Sequence, residues 1–439
     1  MTVEDALHQD VIATNSGNLI FSDATHKILQ TPGTEVVSNG IQTPVAEAGR
    51  INEEFDVFVV PLANAFRPSF ERSLIRLTRL ISRLRIPVVV AGVGAQTGLD
   101  YNPARLAPMA DSVRAFVSAV LDRSATIGVR GEFTEKYLRD LGFTAVEVVG
   151  CPSLFQDGDT VDIVKGRGLD RSSRIAVNGS HGSFKQKRLA RIVRGAWEEY
   201  PETVFIGQNL TEARQLHWRE AYDAKEAPRS MPTHPEHPMF REGRVRVFVD
   251  PVTWIDELRD FDYSFGARIH GNIAALLAGT PATVLCGDSR TLELARYFEI
   301  PHRTIPDIPD DLRPEDLFAE ADFGPFVKGH RDRFDRFVDF LARNGLDNTF
   351  THGDGGRAFD ERMRSLAFPP AVRPWTSAGV EEVSARFAWM RDQMAELAAR
   401  NAALERRAAR TVAAPAAPQS VYRKARRVVG RPIKRALKF

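Results

Sequence analysis

Arg268 and His270 stand two residues apart in Gly-Ala-Arg-Ile-His-Gly, where the apolar run FDYSF ends at Gly266 and an Ala/Leu-rich segment begins. If the chain is still extended there, both side chains leave on the same side. Arginine offers carboxylate or phosphate a planar fork of donors, and histidine moves a proton near neutral pH. Gly266 and Gly271 let backbone and ligand approach closely. The pair therefore suits an anionic substrate. Taken alone, these residues also fit a core histidine beside an arginine that points to solvent.

Further candidates sit at similar junctions. Arg130, in GVRGEFT, falls where a strand gives way to a helix, and Gly131 with the N–H groups beyond it would add donors for an anion. Ser289 and Arg290 follow Asp288 at the head of another helix, where Asp288 or Ser289 can cap while the N-terminus faces an anion. Asn178 and His181 in VNGSHG, and Gln208 and Asn209 in FIGQN, end strands and are candidates to hydrogen-bond a donor or a sugar; polar loop residues of this kind also serve simply as caps. The stretch GVGAQTG at 92–98 lacks the G-x-G-x-x-G spacing, so no dinucleotide cofactor is expected. No metal is expected either: His234 and His237 lie in the proline-broken MPTHPEHPMF, and no His, Cys or carboxylate cluster has ligand spacing.

The elements that must position these residues follow an α/β pattern. DVFVVPLANAF, IPVVVAGVGAQ, ATIGVR and AVEVVG have the length and apolarity of buried strands, and SFERSLIRLTRLISRLR, the region 112–121 and GEFTEKYLRDLG read as helices between them. A second series begins at IAVNGSHG and runs through TVFIGQN, RVRVFVD, FDYSFGA and PATVLCG. The fold class expected is α/β, with two Rossmann-like parallel-sheet domains facing a cleft in a GT-B-like arrangement, the first over 1–160 and the second, with the donor site, over 173–345. A linker is expected at 346–379.

The C-terminal part reads differently. Val380, Val383, Phe387, Met390, Met394, Leu397, Asn401, Leu404 and Ala408 follow alternating steps of three and four, a heptad over 380–410 with asparagine at an a-type position. It offers a homodimer seam, or else one amphipathic helix packed on the body. Residues 411–439 form a Pro/Ala linker and a basic tail. The formal net charge of +2 combines eight Lys/Arg and no acid in 421–439 with −6 over the rest. That tail fits either an interfacial segment drawn to an anionic membrane surface or a solvated basic end. It lacks interleaved aromatics beyond Tyr422, so nucleic acid is not expected as a partner. With 43% hydrophobic and 26% charged residues the bulk of the chain should fold. Two isolated cysteines, Cys151 and Cys286, imply no disulfide framework. The first 21 residues do not read as a signal peptide and no apolar run is long enough to span a bilayer, so the expected location is cytoplasmic, with peripheral attachment at the inner face of the cell membrane.

GARIHGNIAALLAGTPATVLCGDSRTLELARYFEIP resembles the signature segment of the polysaccharide pyruvyl transferase family, in which R-x-H-G precedes a helix and G-x-P begins the next strand. TIGVRGEFTEKYLRDLGFTAVEVVGCPSLF and TNSGNLI extend the similarity in family order over most of residues 11–345. The resemblance implies transfer of a pyruvyl group from phosphoenolpyruvate, with no cofactor, onto two hydroxyls of a glycan or lipid-linked saccharide, giving a cyclic ketal and phosphate. Such chemistry needs several cations for carboxylate and phosphate and a proton for the methylene carbon. His270 is then the expected general acid and Arg268 the clamp at the leaving group, with Arg130 a second anion ligand. The same architecture would also serve a nucleotide-sugar-dependent glycosyltransferase.

Overall fold

The computed structural model describes residues 2–39, 44–220, 229 and 231–413, with side chains as far as residue 406. The chain divides into two units, Met1–Ala378 and Gly379–Phe439.

In the first unit, β1 (Phe58–Pro61) pairs in parallel with β2 (Val88–Ala91), and β3 (Ile127–Val129) with β4 (Val146–Val148). A parallel bridge from Val93 to Val129 joins the two pairs. Val88, Val89, Val90 and Ala91 are all buried, which is why this strand reads as an unbroken apolar run instead of an alternating one. The amphipathic helices Glu71–Ile81 and Ala110–Leu121 bury Leu74, Leu80, Phe116 and Val120 in the same core as β2.

Six parallel strands make the second sheet: β5 (Ile175–Asn178), β6 (Val204–Gly207), β7 (Val245–Val247), β8 (Tyr263–Gly266), β9 (Ala282–Cys286) and β10 (His302–Thr304), in the order β10-β9-β8-β5-β6-β7. The chain builds outward from β5 to β7, returns to the other side of β5, and builds outward again to β10. Ligands of open α/β sheets lie beyond the carboxyl ends of the strands where this reversal occurs. Here those ends are Asn178 and Gly266, which are partners in register. Gly266 has φ 153°, and a Cβ there would lie 2.0 Å from the Asn178 carbonyl oxygen, so only glycine closes this junction. The α/β class read from the sequence is the class the chain forms.

Three placements differ from the linear reading. The N-terminal residues, grouped by sequence with the first sheet, join the second: Ala6, Leu7 and Ile12 share a core with Ile175, Phe205 and Val245, and the Ser16 N–H donates to Gln208 O at 2.8 Å. Residues 346–378, expected as a linker, carry the helices Thr349–His352 and Arg357–Ser365, and Val372 exchanges both backbone hydrogen bonds with Val247. β10 was not anticipated, because an edge strand reading His-Arg-Thr has no apolar run to announce it.

The second unit contains the helix Val380–Ala413, 34 residues long. Phe387, Met394 and Leu397 on its expected seam are 64%, 71% and 56% exposed. The basic tail lies outside the described residues. Among those described, no helix is long and apolar enough to cross a membrane.

Candidate active site

His270 occupies the first turn of the helix Ile269–Leu277, directly after β8, with Arg268 as the N-cap residue. Its ring is almost wholly buried, at 6% exposure for the residue. The head of the helix Gly17–Leu29 presses on it: a Cβ on Gly17 would lie 2.8 Å from His270 Cβ and 3.1 Å from Nδ1. Phe21, one turn on, has its ring centroid 6.5 Å away. On the other ring nitrogen, Nε2 lies 3.7 Å from Cys151 Sγ.

Three arginines surround this histidine. Arg130 leaves the end of β3 and is 1% exposed. Its backbone N–H is spent on Val93 O at 2.9 Å, but Nε and Nη2 are buried and have no partner among the described residues. Arg290 lies in the first turn of the helix Ser289–Phe298 after β9, and Arg268 caps the His270 helix just beyond β8; the Nε of each is likewise buried and unpartnered. Burial pushes the Arg130 and Arg268 guanidinium groups down, and each is pushed further by the charge of Arg290. Arg67 on the first half senses Arg290 in the same way. Cations that sense one another, with buried donors left unspent, are what recognition of an anion requires.

The nearby acids leave those donors unspent. Asp288 Oδ2 is 3.5 Å from Arg290 Nη2, and the side chain also caps the helix through Thr291 N–H and accepts from Gln96 Nε2 at 3.0 Å. Glu212 is fully buried and accepts the N–H groups of Gln208 and Asn209 at 2.8 and 3.1 Å. Glu293 accepts Thr134 N–H at 2.7 Å across the two halves. Neither glutamate makes an ion pair with an arginine among the described residues, and burial pushes both carboxyls up, Glu293 to about 7.

For His270 the same surroundings act in one direction. Burial, then Arg130, Arg290 and Arg268, hold its pKa down to about 3, so the imidazole of the free protein is neutral at physiological pH.

The remaining candidates take distinct places. Asn178 Oδ1 accepts Arg268 N–H at 2.8 Å and its Nδ2 donates to Asn272 at 3.0 Å, which commits its amide to holding the β5–β8 junction. Gln208, at the end of β6, brings an unpartnered Nε2 to Gly271, whose Cβ position would be 2.6 Å away. Asn209 accepts from Arg268 Nη2 and donates to Glu212. Ser289 joins the two halves: its Oγ accepts Thr97 N–H at 2.8 Å and its N–H donates to Thr97 O at 3.2 Å. This gives the GVGAQTG loop a role in docking the Arg290 helix. His181 opens the short helix His181–Phe184, in a turn closed by Ser180 and Ser183. Sequence reasoning missed Gly17, Cys151, Glu212 and Glu293 as parts of the site. Gly17, Cys151 and Glu293 had only their place within segments of family resemblance as a signal, and Glu212 had none.

Fold and site together define an α/β protein with buried, unspent arginine donors around a histidine at the switch point of its larger sheet. The sequence profile described as polysaccharide pyruvyl transferase matches residues 56–287, and the chain belongs to that family. No curated protein matches it. Among solved structures it is similar to a putative UDP-N-acetylglucosamine 2-epimerase of Listeria monocytogenes, at 11% identity and TM-score 0.37 over 77% of this chain and 84% of that one. HepE of Anabaena, in complex with UDP and glucose, shows 12% identity and TM-score 0.37 over 73% and 81%. Likenesses of this size carry no argument about substrate.

Proposed function

We propose that this protein transfers the pyruvyl group of phosphoenolpyruvate to a sugar of a glycan or lipid-linked saccharide, forming a cyclic ketal and releasing phosphate. The observation that carries the reading is the set of unspent, buried donors on Arg130, Arg268 and Arg290 around one histidine. A donor with both a carboxylate and a phosphate matches a seat with several cations, where a singly charged ligand would not. The arginines hold and neutralise these groups, and His270 delivers a proton to the methylene carbon. The first sugar hydroxyl attacks the adjacent carbon, phosphate leaves beside the arginines, and the second hydroxyl closes the ring. No cofactor enters this scheme. We read the helix Val380–Ala413 as a homodimer seam, on its exposed heptad, and the basic tail 421–439 as a contact with anionic lipid at the inner membrane face.

The test is phosphate release from phosphoenolpyruvate in the presence of candidate acceptors. Release should depend on acceptor and vanish in His270→Ala and Arg268→Ala. Thermal stabilisation by a nucleotide sugar, with none by phosphoenolpyruvate, would instead favour glycosyl transfer.

A further inference from the structure

A neutral, buried imidazole raises a question for any proton donor: which nitrogen carries the proton, and what replaces it? The charged groups facing the ring, Arg130 from β3, Arg290 from the next helix and Arg268 from its own, are all cations that oppose a second proton on it. The remaining titratable neighbour is the Cys151 thiol, 3.7 Å from Nε2. Nδ1 has no hydrogen-bond partner among the described residues, and what lies beside it is the head of the helix Gly17–Leu29, where glycine leaves the space a side chain would take.

Cys151 is fully buried, and burial pushes its thiol up, so the sulfur keeps its proton in the free protein. Sγ also lies 3.3 Å from Ser153 Oγ, and the hydroxyl and N–H of Ser153 act on the thiol in the direction that favours thiolate, as does the Arg130 charge. A serine hydroxyl can rotate to donate to sulfur, which leaves the thiol proton free to point at Nε2.

We propose that Cys151 is a positioning residue that donates its thiol proton to His270 Nε2, fixing the imidazole with its own proton on Nδ1 and that N–H turned to the bound substrate. This deepens the pyruvyl-transfer reading and rests on it for the catalytic consequence. As Nδ1 gives its proton to the methylene carbon, the thiol proton passes to Nε2, and the imidazole stays neutral among its three arginines. The sulfur is left as thiolate, held by Ser153 and Arg130. The proton lost by an attacking hydroxyl returns through Nδ1, and Nε2 gives its proton back to sulfur. The other hydroxyl proton leaves with phosphate, so the balance closes without a further reactant.

The first experiment needs no turnover. Protein labelled with 15N-histidine is observed by long-range 1H–15N correlation, with the His270 signal assigned by its loss in His270→Asn. The expected result is an Nδ1–H tautomer in the wild-type protein and a shift towards Nε2–H in Cys151→Ala. Nε2–H in the wild type, or no change in the variant, overturns the proposal even if pyruvyl transfer is real. The second is a pH profile of acceptor-dependent phosphate release. Cys151→Ala should lower kcat on the order of 10- to 100-fold, move the profile, and leave KM for phosphoenolpyruvate little changed. Cys151→Ser, which keeps a donor in place, should recover most of the loss. Unchanged kcat and profile in Cys151→Ala also overturn it. Should wild-type protein release no phosphate at all, the functional reading fails and the tautomer measurement still decides the thiol contact.

Discussion

Arg130 is an expensive residue to keep without a ligand. A guanidinium at 1% exposure with two unpartnered nitrogens carries a desolvation cost that no ion pair offsets. An arginine kept for structure would destabilise the protein when removed; one kept for an anion should do the opposite. Arg130→Met is expected to raise the stability of the ligand-free protein, by about 1 kcal/mol or more, while abolishing turnover. Chemical denaturation with and without phosphoenolpyruvate tests both halves. Wild-type protein should gain stability from the ligand and the variant should not. A less stable Arg130→Met would assign the side chain to the fold.

At the scale of elements, the site is assembled by helix ends meeting across long stretches of chain. Gly17 heads one helix and His270 another, so an added methyl at 2.8 Å from the His270 Cβ cannot be absorbed by a flexible side-chain tip. Gly17→Ala is expected to cost about 1–3 kcal/mol by overpacking, and to lower turnover by displacing the imidazole. Circular dichroism melts and phosphate release measure the two effects. Glu293 supplies a second case, because it caps the helix Glu132–Asp140 from the opposite half through Thr134 N–H and Oγ1. Burial pushes its carboxyl up to about 7 in the folded protein against an ordinary value of 4.5, so the folded state holds the proton more tightly. That contribution is complete below 4.5 and is lost as pH rises through 7. Glu293→Gln should therefore remove a decline in stability between pH 5 and about 8 seen in the wild type; an identical slope in both proteins would show that another group produces it.

These contacts also mark how far the sequence could be read. Nine of the ten strands among the described residues lie in segments that read as strands, and the clearest are β2, β5, β6, β8 and β9, which are buried along their whole length. Arg268, His270 and Arg130 were legible because each sits at a strand-to-helix junction, a position visible in one dimension. Glu293 was not: in SRTLELARYF it is one polar residue on an amphipathic helix, and only the docking of that helix on Thr134 makes it internal. The contact of Cys151 with His270, and of Gly17 with His270, depend in the same way on how distant segments come together.

For the whole molecule, the useful division falls at Ala378 and not at Gly345. Residues 346–378 are tied to the site through Lys27, which lies on the helix that begins with Gly17. Its Nζ is held at 2.8 Å by Asp157 and at 2.9 Å by Asp360, and Gly356, at φ 83°, leaves room for the Lys27 stem where a Cβ would come within 2.5 Å of Cε. A chain ending at Gly345 loses one of two carboxylates on a buried ammonium and the strand-like pairing of Val372 with Val247. It is expected to melt well below the full chain and to release little phosphate. A chain ending at Ala378 keeps both, and should melt close to the full chain and retain turnover on a soluble acceptor. Light scattering then isolates the helix Val380–Ala413: if its exposed Phe387, Met394 and Leu397 form a seam with a second copy, the full chain is dimeric and the Ala378 chain monomeric. Equal masses per chain in both would remove the helix from the account of assembly, and lost turnover in the Ala378 chain would make it part of the working site.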